Sequence, residues 1–267
     1  MKLDPAKYYR MPLIMGPLLD RKKDMKLSYP QVEVCAFQYL THADAAKALL
    51  PNCYSVGKEP IVTVVFSQNN GLAFMAGGGY RMATFQLAAS FKGASDHVEG
   101  DYILVMFENQ TWPIIGGRED LGVPKLFADI SPIRQLPDGS IRCDASMWGH
   151  LLFSLDLSGL KTQTLPARAV AARRINSRPW LAYKYIPSLD GPADADYPTI
   201  SFNNTKVERL WLGKSARLRL GSPDSDDVGP IRSMLDALSN LKVLKPIQAV
   251  HYQGSSVLRY DLSRRLR

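Results

Sequence analysis

The sequence predicts an α+β protein that is mainly antiparallel β, and three observations support this fold class. Stretches rich in β-branched and aromatic residues recur along the chain, each about as long as a single strand. Turn-forming sequences such as "NNG" at 69–71 and "PDG" at 137–139 separate some of them. Regular helices between the strands are rare, which favours an antiparallel sheet or barrel over a doubly wound fold.

The individual elements are predicted from local patterns. One helix is predicted over 42–51, where Ala and Leu recur at helical spacing, and another over 226–241, where aliphatic residues share one face. Because the chain shows no repeat, low-complexity tract or linker, residues 1–267 are predicted to form one domain. Strands are predicted at 31–40, 60–68, 80–91, 101–109, 150–159, 180–189, 206–221 and 248–262.

Composition and charge argue against several classes of protein. Of the 267 residues, 46% are hydrophobic and 22% are charged, which is ordinary for a globular protein. The net charge of +8 is scattered and no nucleic-acid motif accompanies it, so no nucleic-acid partner is predicted, and the positive field suits a carboxylate substrate. Prolines interrupt the short apolar piece near the N-terminus, so neither a signal peptide nor a membrane span is predicted.

No cofactor or metal is predicted. The chain has no GxGxxG segment after a strand, no Walker loop and no HExxH, and its four histidines lie far apart. Its three cysteines are odd in number and lack CxxC spacing, which argues against a zinc site and against a disulfide framework. Free cysteines suit a reducing compartment, so a cytoplasmic location is predicted.

One lysine stands in an unusual context. The segment "GGREDLGVPKLFAD" (116–129) places Lys125 between a proline and apolar residues. Taken alone, a surface lysine at the start of a strand is the ordinary interpretation, since lysines are rarely buried without cause. Here glycines widen the range of backbone conformations before the lysine, and Pro124 restricts the backbone at the start of the strand. Apolar neighbours would desolvate the amine and favour its neutral form, which can attack a carbonyl and form a Schiff base.

This segment resembles the motif of the acetoacetate decarboxylase superfamily, in which Gly-Arg-Glu and a spacer precede Pro-Lys. Lys125 falls on the family's Schiff-base lysine. The resemblance implies a cone-like β-barrel around the site, a small oxo acid or ketone as substrate, and assembly into homo-oligomers. Further segments resemble the family in the same order: "FQYLTHADAAKALLP" (37–51), "EPIVTVVF" (59–66), "GDYILVMFEN" (100–109) and "RPWLAYKYIPSLDG" (178–191).

The chain also departs from the family pattern. A second lysine follows the reactive one in the decarboxylases, but Leu126 stands at that position here, so the amine would depend mainly on burial to lose its proton. One family glutamate falls on Val65 and the other on Met82, and the family's arginine falls near Val32. We expect Leu126, Val65 and Met82 to line the substrate site, where they would replace the polar groups that steer acetoacetate.

Several residues are candidates for proton transfer or substrate contact. Tyr252, near the place where the family's C-terminal strand lines the cavity, either has a catalytic or orienting role or packs in the core. Tyr80 lies in the strand that carries a family glutamate. Glu119 is a candidate catalytic residue, yet Glu119 and Arg118 are expected mainly to brace the lysine loop. Arg118 also suits a substrate carboxylate, and Gln86 is a candidate for contact with a bound oxygen.

The sequence leaves three functions open. An iminium carbon stabilises negative charge on the neighbouring carbon, which serves decarboxylation, aldol addition and dehydration alike. The apparent loss of both glutamates favours an imine-forming lyase of the aldolase or dehydratase type. One alternative is an acetoacetate decarboxylase in which the family glutamates fall at positions other than 65 and 82, or in which Glu108 or Glu119 replaces a lost carboxylate. The other is a non-catalytic binding protein that shares the fold.

Overall fold

Two large sheets and a few helices make up the part of the chain that the structure describes. The computed structural model describes residues 2–17, 19–20 and 25–267. The strands are β1 (Lys7–Tyr8), β2 (Leu19–Asp20), β3 (Lys26–Leu40), β4 (Tyr54–Val56), β5 (Ile61–Asn70), β6 (Tyr80–Lys92), β7 (His97–Glu108), β8 (Lys125–Phe127), β9 (Asp129–Ile130), β10 (Arg134–Gln135), β11 (Ile141–Met147), β12 (His150–Ser158), β13 (Lys161–Thr162), β14 (Trp180–Ile186), β15 (Ala195–Gly213), β16 (Ser215–Leu220) and β17 (Lys245–Arg265). The helices are α1 (Ala43–Lys47), α2 (Thr111–Gly116), α3 (Leu165–Asn176), α4 (Ser225–Val228) and α5 (Ile231–Ser239), with short turns of other helical types at Leu13–Met15, Ala73–Met75 and Gly117–Leu121.

The larger sheet closes on itself. Its strands pair in the order β6, β5, β3, β17, β15, β14 and β7, and β7 pairs again with β6. The pairings around this ring are antiparallel except between β14 and β7, and β8 is added to β7 in parallel. Closure leaves an inner face and an outer face, and successive side chains of each strand alternate between them. The predicted mainly antiparallel β fold is confirmed.

The smaller sheet covers part of the outer face of the ring. It consists of β10, β11, β12 and β16, with β9 paired to β11. Phe153 of β12 packs against Phe66, Phe85 and Phe107 of the ring, with ring centroids 4.9 to 5.8 Å apart. The two sheets therefore share one apolar core. α5 adds Leu235 and Leu238 to this core, as predicted, but Gly229 and Pro230 divide the single helix predicted over 226–241 into α4 and α5.

α3 is a helix that the sequence analysis did not predict. Signals for it exist, because Pro166 stands in the first turn and the following residues are rich in alanine and arginine. Side chains of α3, among them Val170 and Arg174, line the space inside the ring. The helix therefore covers one mouth of the ring. Within the described residues, no helix has the length and apolar character needed to cross a membrane.

Candidate active site

Lys125 is the first residue of β8 and faces the inside of the ring. It pairs with Met106 of β7, and the next residue, Leu126, pairs with Phe107. Because successive side chains on a strand point to opposite faces, the two pairs lie on opposite sides. Lys125 and Met106 line the inner cavity, whereas Leu126 and Phe107 pack in the apolar core outside it. Strand alternation thus explains how a lysine adjoins Leu126 without entering the apolar core.

The turn before β8 makes room for the lysine side chain. α2 runs directly into one π-helical turn, Gly117–Leu121, a local geometry that is frequent at functional sites. A Cβ atom at Gly117 would lie 2.3 Å from Cε and 2.4 Å from Cδ of Lys125, so any other residue there would displace the lysine side chain. Arg118 donates a hydrogen bond to the Lys125 backbone carbonyl at 3.0 Å. Gly117 therefore leaves space for the end of the lysine side chain, and Arg118 fixes the lysine backbone.

Glu108 is the ionisable partner of Lys125. Lys125 Nζ lies 2.7 Å from Glu108 Oε1 and donates a second hydrogen bond to the Pro113 carbonyl at 3.1 Å. Lys125 is 8% exposed and Glu108 is 0% exposed. The second carboxyl oxygen, Oε2, has no hydrogen-bond partner among the described residues. Glu108 lines the same cavity as the lysine, so an incompletely bonded carboxyl group stands beside the amine.

The environment favours the neutral form of Glu108. Burial raises the pKa of Glu108 above its ordinary value, and the neighbouring Lys125 opposes this rise. Burial has the larger effect. A carboxyl group with a raised pKa holds a proton more readily than an exposed one, which suits proton exchange with a neighbouring amine.

The inside of the ring forms a cavity of about 560 Å³. Glu108 pairs in register with Met82, and Met82 pairs with Ser67. Ser67 in turn pairs with Val34, and Val34 with Tyr252. All five line the cavity, and we call them the first layer. Tyr252 and Glu108 therefore lie at the same level of the ring, although they come from strands far apart in the sequence.

Three tyrosines also line this cavity. Tyr80 Oη donates a hydrogen bond to Tyr29 Oη at 3.3 Å, and the two rings meet edge to face. Burial raises the pKa of Tyr29 to about 12 and also raises the pKa of Tyr80 and of Tyr252. The Tyr252 hydroxyl makes no hydrogen bond to any described residue. All three hydroxyls stay protonated at neutral pH, and that of Tyr252 is free to contact a bound molecule.

The predicted site residues fall into two groups. Arg118 contacts the backbone of the lysine, Glu119 accepts a hydrogen bond from Lys184 through its backbone carbonyl, and Leu126 packs in the core, so these three lie outside the cavity wall. No group of three or more His, Cys, Asp or Glu side chains is placed to hold a metal ion in the described ranges. The other predicted residues line the cavity: Lys125, Tyr252, Tyr80, Met82, Gln86 and Val65.

Two features of the site are not predicted from the sequence, namely the position of Tyr29 and a second recess next to the cavity. Tyr29 lies in no recognisable motif, and only the pairing of β3 places it at the cavity. A second recess of about 270 Å³ meets the cavity at Lys125 and contains Arg10 and Trp112. Arg10 pairs with Asp120 of the lysine loop, and its guanidinium lies 5.3 Å from the centre of the Trp112 ring. These contacts join residues that are far apart in the sequence, so no local sequence pattern predicts them.

The fold and the site together define a class of protein. A buried lysine beside a carboxyl group at the wall of a cavity is typical of enzymes that use an amine as a nucleophile. The model of one family, described as acetoacetate decarboxylase, matches residues 10–263. The chain belongs to the acetoacetate decarboxylase family. This membership supports a lyase that acts on a small oxo acid or ketone.

Individual relatives agree with the family assignment. An acetoacetate decarboxylase from Clostridium botulinum (strain Eklund 17B / Type B) is 28% identical over 193 residues, which are 68% of this chain and 70% of the relative. The acetoacetate decarboxylase of Legionella pneumophila has a similar structure, with a TM-score of 0.72 at 22% identity over 91% of this chain and 88% of that chain. The enduracididine biosynthesis enzyme MppR, complexed with the condensation product of pyruvate and imidazole 4-carboxaldehyde, has a TM-score of 0.71 at 16% identity over 99% of this chain and 97% of that chain. At such identities the solved structures establish the shared fold.

The raised pKa of Glu108 predicts a pH-dependent effect of Glu108→Gln on stability. Folding raises this pKa above the ordinary value of 4.5, so the group favours the folded state at low pH. That contribution is lost as the pH rises from 4.5 through the raised pKa. The free energy of unfolding of the wild type, minus that of Glu108→Gln, should therefore fall with rising pH in urea denaturation. Glu99→Gln, which changes an exposed carboxylate on the same strand, is the control, and a difference that is constant or grows with pH contradicts the prediction.

Gly117→Ala is predicted to displace the lysine side chain. The new methyl group would overlap Cδ and Cε of Lys125. These atoms belong to a flexible side chain, so we expect the lysine side chain to move. A misplaced nucleophile loses about 100-fold in rate. The rate of borohydride trapping of pyruvate at Lys125 should fall by that order, while thermal unfolding still shows one cooperative transition. An undiminished trapping rate would show that the lysine does not need the space at Gly117.

Proposed function

We propose that this protein is an imine-forming lyase that acts on a small oxo acid or ketone through Lys125. We further propose that the reaction is of the aldolase or dehydratase type rather than simple decarboxylation. One observation carries the proposal: Lys125 Nζ lies 2.7 Å from the buried Glu108 carboxyl group at the wall of a cavity of about 560 Å³. An amine nucleophile needs a base and a site that limits water, and this contact and this cavity supply them.

Imine formation follows from the contact between the two side chains. Transfer of an Nζ proton to Glu108 leaves a neutral amine, whose electron pair forms a bond to the substrate carbonyl carbon. Glu108 returns the proton to the carbonyl oxygen and takes a second proton from the nitrogen. Glu108 then gives this second proton to the hydroxyl group, which leaves as water, and a C=N bond remains whose nitrogen still carries one proton. This protonated bond withdraws electrons from the neighbouring carbon, where the later chemistry takes place.

The apolar wall favours reactions other than acetoacetate decarboxylation. Val65 and Met82 stand where the family resemblance expects glutamates, and both line the cavity. Aldol addition and dehydration require a proton to move to or from a substrate carbon or hydroxyl group. Glu108 and Tyr252 are the candidates for this transfer, because both belong to the first layer. The condensation product bound to MppR supports a condensation reaction on this fold.

Decarboxylation of acetoacetate is the second candidate. Family membership favours it, and Glu108 supplies a carboxyl group at the lysine even though the positions of both family glutamates are apolar. The loss of carbon dioxide from a β-keto imine needs no proton from carbon, so a single carboxyl group is sufficient for the proton transfers of imine formation. A binding protein without catalytic activity would retain the cavity but would not need a reactive amine.

We also propose three broader properties of the protein. Residues 1–267 form one domain, which the apolar core shared by the two sheets supports. The family resemblance supports assembly into a homo-oligomer. A cytoplasmic location is supported by the three cysteines, which are free thiols.

Reductive trapping is predicted to attach an oxo acid to Lys125. Borohydride added with pyruvate or acetoacetate should yield one adduct per chain, which peptide mass spectrometry assigns to Lys125, and Lys125→Ala should abolish it. Carbon dioxide release from acetoacetate is measured in parallel. Trapping without release supports aldolase or dehydratase chemistry, whereas release at the trapping rate supports the decarboxylase. No adduct with either acid, in folded protein, would reject imine catalysis altogether.

Tyr252→Phe is predicted to slow the steps that follow imine formation. The variant loses a buried hydroxyl that is a candidate for proton transfer, and such groups contribute about 100-fold or more. The rate of condensation between pyruvate and an aldehyde should fall accordingly, while the yield of borohydride-trapped pyruvate stays close to that of the wild type. Tyr185→Phe, which removes an exposed hydroxyl, serves as the control. Equal losses of trapping and condensation would instead indicate that Tyr252 only supports the fold of the site.

A further inference from the structure

The cavity continues well beyond the first layer. Two residues further along β5 and β3, the strands present Val65 and Ala36, which pair in register. Ala36 pairs with Val250, and Val250 is matched to Leu212 of β15. These residues and Met106 line the cavity. We call Val65, Ala36, Val250, Leu212 and Met106 the second layer, and these five are all apolar. The backbone of Lys125 pairs with Met106 at this level, and its amine extends to Glu108 of the first layer.

A third layer follows, and its chemistry is different. Gln86 pairs in register with Thr63, Thr63 with Gln38, and Gln38 with Gln248. All four side chains line the cavity. Gln38 donates a hydrogen bond from its amide to the Thr63 hydroxyl at 3.1 Å. The inner wall therefore passes from the level of Glu108 and the lysine amine, across five apolar side chains, to a layer made of amides and a hydroxyl.

The spacing of the layers sets the length of a ligand that would reach both ends. Four residues separate Val34 of the first layer from Gln38 of the third along β3. At about 3.3 Å per residue, the two levels lie roughly 13 Å apart along the strand. The cavity volume of about 560 Å³ is within the range of sites for drug-sized ligands. A three- or four-carbon acid bound at Lys125 would leave the second and third layers unused.

Arg174 of α3 contacts side chains of the third layer, and its positive charge is not neutralised by a carboxylate of the described residues. Its guanidinium donates hydrogen bonds to the Gln248 side-chain oxygen at 3.0 Å and to the Gln38 side-chain oxygen at 2.9 Å. No carboxylate forms an ion pair with Arg174 among the residues that the structure describes. Arg178, one turn further on, differs, because it pairs with Asp101 at 2.7 Å. Arg174 is therefore a cation at the cavity wall, held in place by neutral amides.

We propose that Arg174 and the third layer form a distal subsite for the carboxylate of an elongated oxo acid whose carbonyl group reacts at Lys125. The proposal rests on the proposed imine function and adds the class of substrate. The reacting carbonyl lies at the first layer, an aliphatic segment crosses the second layer, and the far carboxylate meets Arg174, Gln38 and Gln248. A guanidinium suits a carboxylate because it offers paired donors in one plane.

A series of 2-oxo acids tests this assignment. Pyruvate, 2-oxodecanoate and 2-oxodecanedioate carry the same reacting end, and the last two differ only in a terminal methyl or carboxylate group. We expect 2-oxodecanedioate to half-saturate borohydride trapping at a concentration about three- to tenfold lower than 2-oxodecanoate, as one charge-assisted contact at a partly open site would give. Equal half-saturating concentrations for the two acids would overturn the proposal.

Variants of α3 identify the group responsible. Arg174→Met should remove the preference for the dicarboxylate, and Arg174→Glu should reverse it. Arg173→Met is the matched control, because Arg173 is the neighbouring exposed arginine and does not line the cavity. It should leave the preference unchanged. If Arg174→Met weakens trapping of both long acids equally, Arg174 merely fastens α3 to the ring, and the distal subsite is rejected.

A second measurement separates this inference from the imine chemistry. Calorimetric titration of 2-oxodecanedioate into Lys125→Ala measures binding that needs no covalent bond. Weaker binding to the double variant Lys125→Ala with Arg174→Met supports the distal subsite, even if pyruvate gives no adduct in the wild type. Identical binding to the single and double variants rejects the subsite, even if pyruvate is trapped efficiently.

Discussion

The contact between Lys125 and Glu108 is the interaction on which the rest of the site depends. Both groups are almost fully removed from water, and burying an amine and a carboxyl group together is costly unless their geometry is well defined. The surrounding residues fix the positions of the amine and the carboxyl group. The Pro113 carbonyl accepts a hydrogen bond from the amine, Gly117 leaves space for its side chain, and β7 and β8 hold the two residues on the same face.

Because the large sheet closes into a ring, Lys125 and Glu108 lie at the wall of a cavity. A ring of strands has an inner face that water enters only through its mouths, and α3 covers one of them. The raised pKa of Glu108 results from this enclosure. The same closure arranges the inner wall in layers, because residues that pair around the ring lie at one level. Reactive, apolar and amide-bearing side chains therefore follow one another along the cavity.

Much of the ring was predictable from local pattern. The strands β5, β6, β7 and β12 lie close to their predicted ranges because period-two alternation and turn residues mark them. Other elements were missed for identifiable reasons. β8 spans only Lys125–Phe127 and is too short to show a period, so a motif rather than an alternation drew attention to Lys125. α3 carries helix signals, but its position across the mouth of the ring depends on contacts with β15 that no local signal encodes.

The sequence by itself determined the fold class and singled out Lys125 as the candidate nucleophile, because alternation, turn chemistry and a contiguous motif are local properties. Only the tertiary structure decided that Glu108, which lies 17 residues before Lys125, contacts the lysine amine, and that Tyr252 of the last strand lines the same cavity. Register is set by the simultaneous burial of both faces of a closed sheet, and a shift by one residue would turn every side chain to the opposite face. Leu126 adjoins the lysine in sequence but lies outside the cavity wall for the same reason, whereas Arg118 and Glu119 lie in the helical turn that precedes β8.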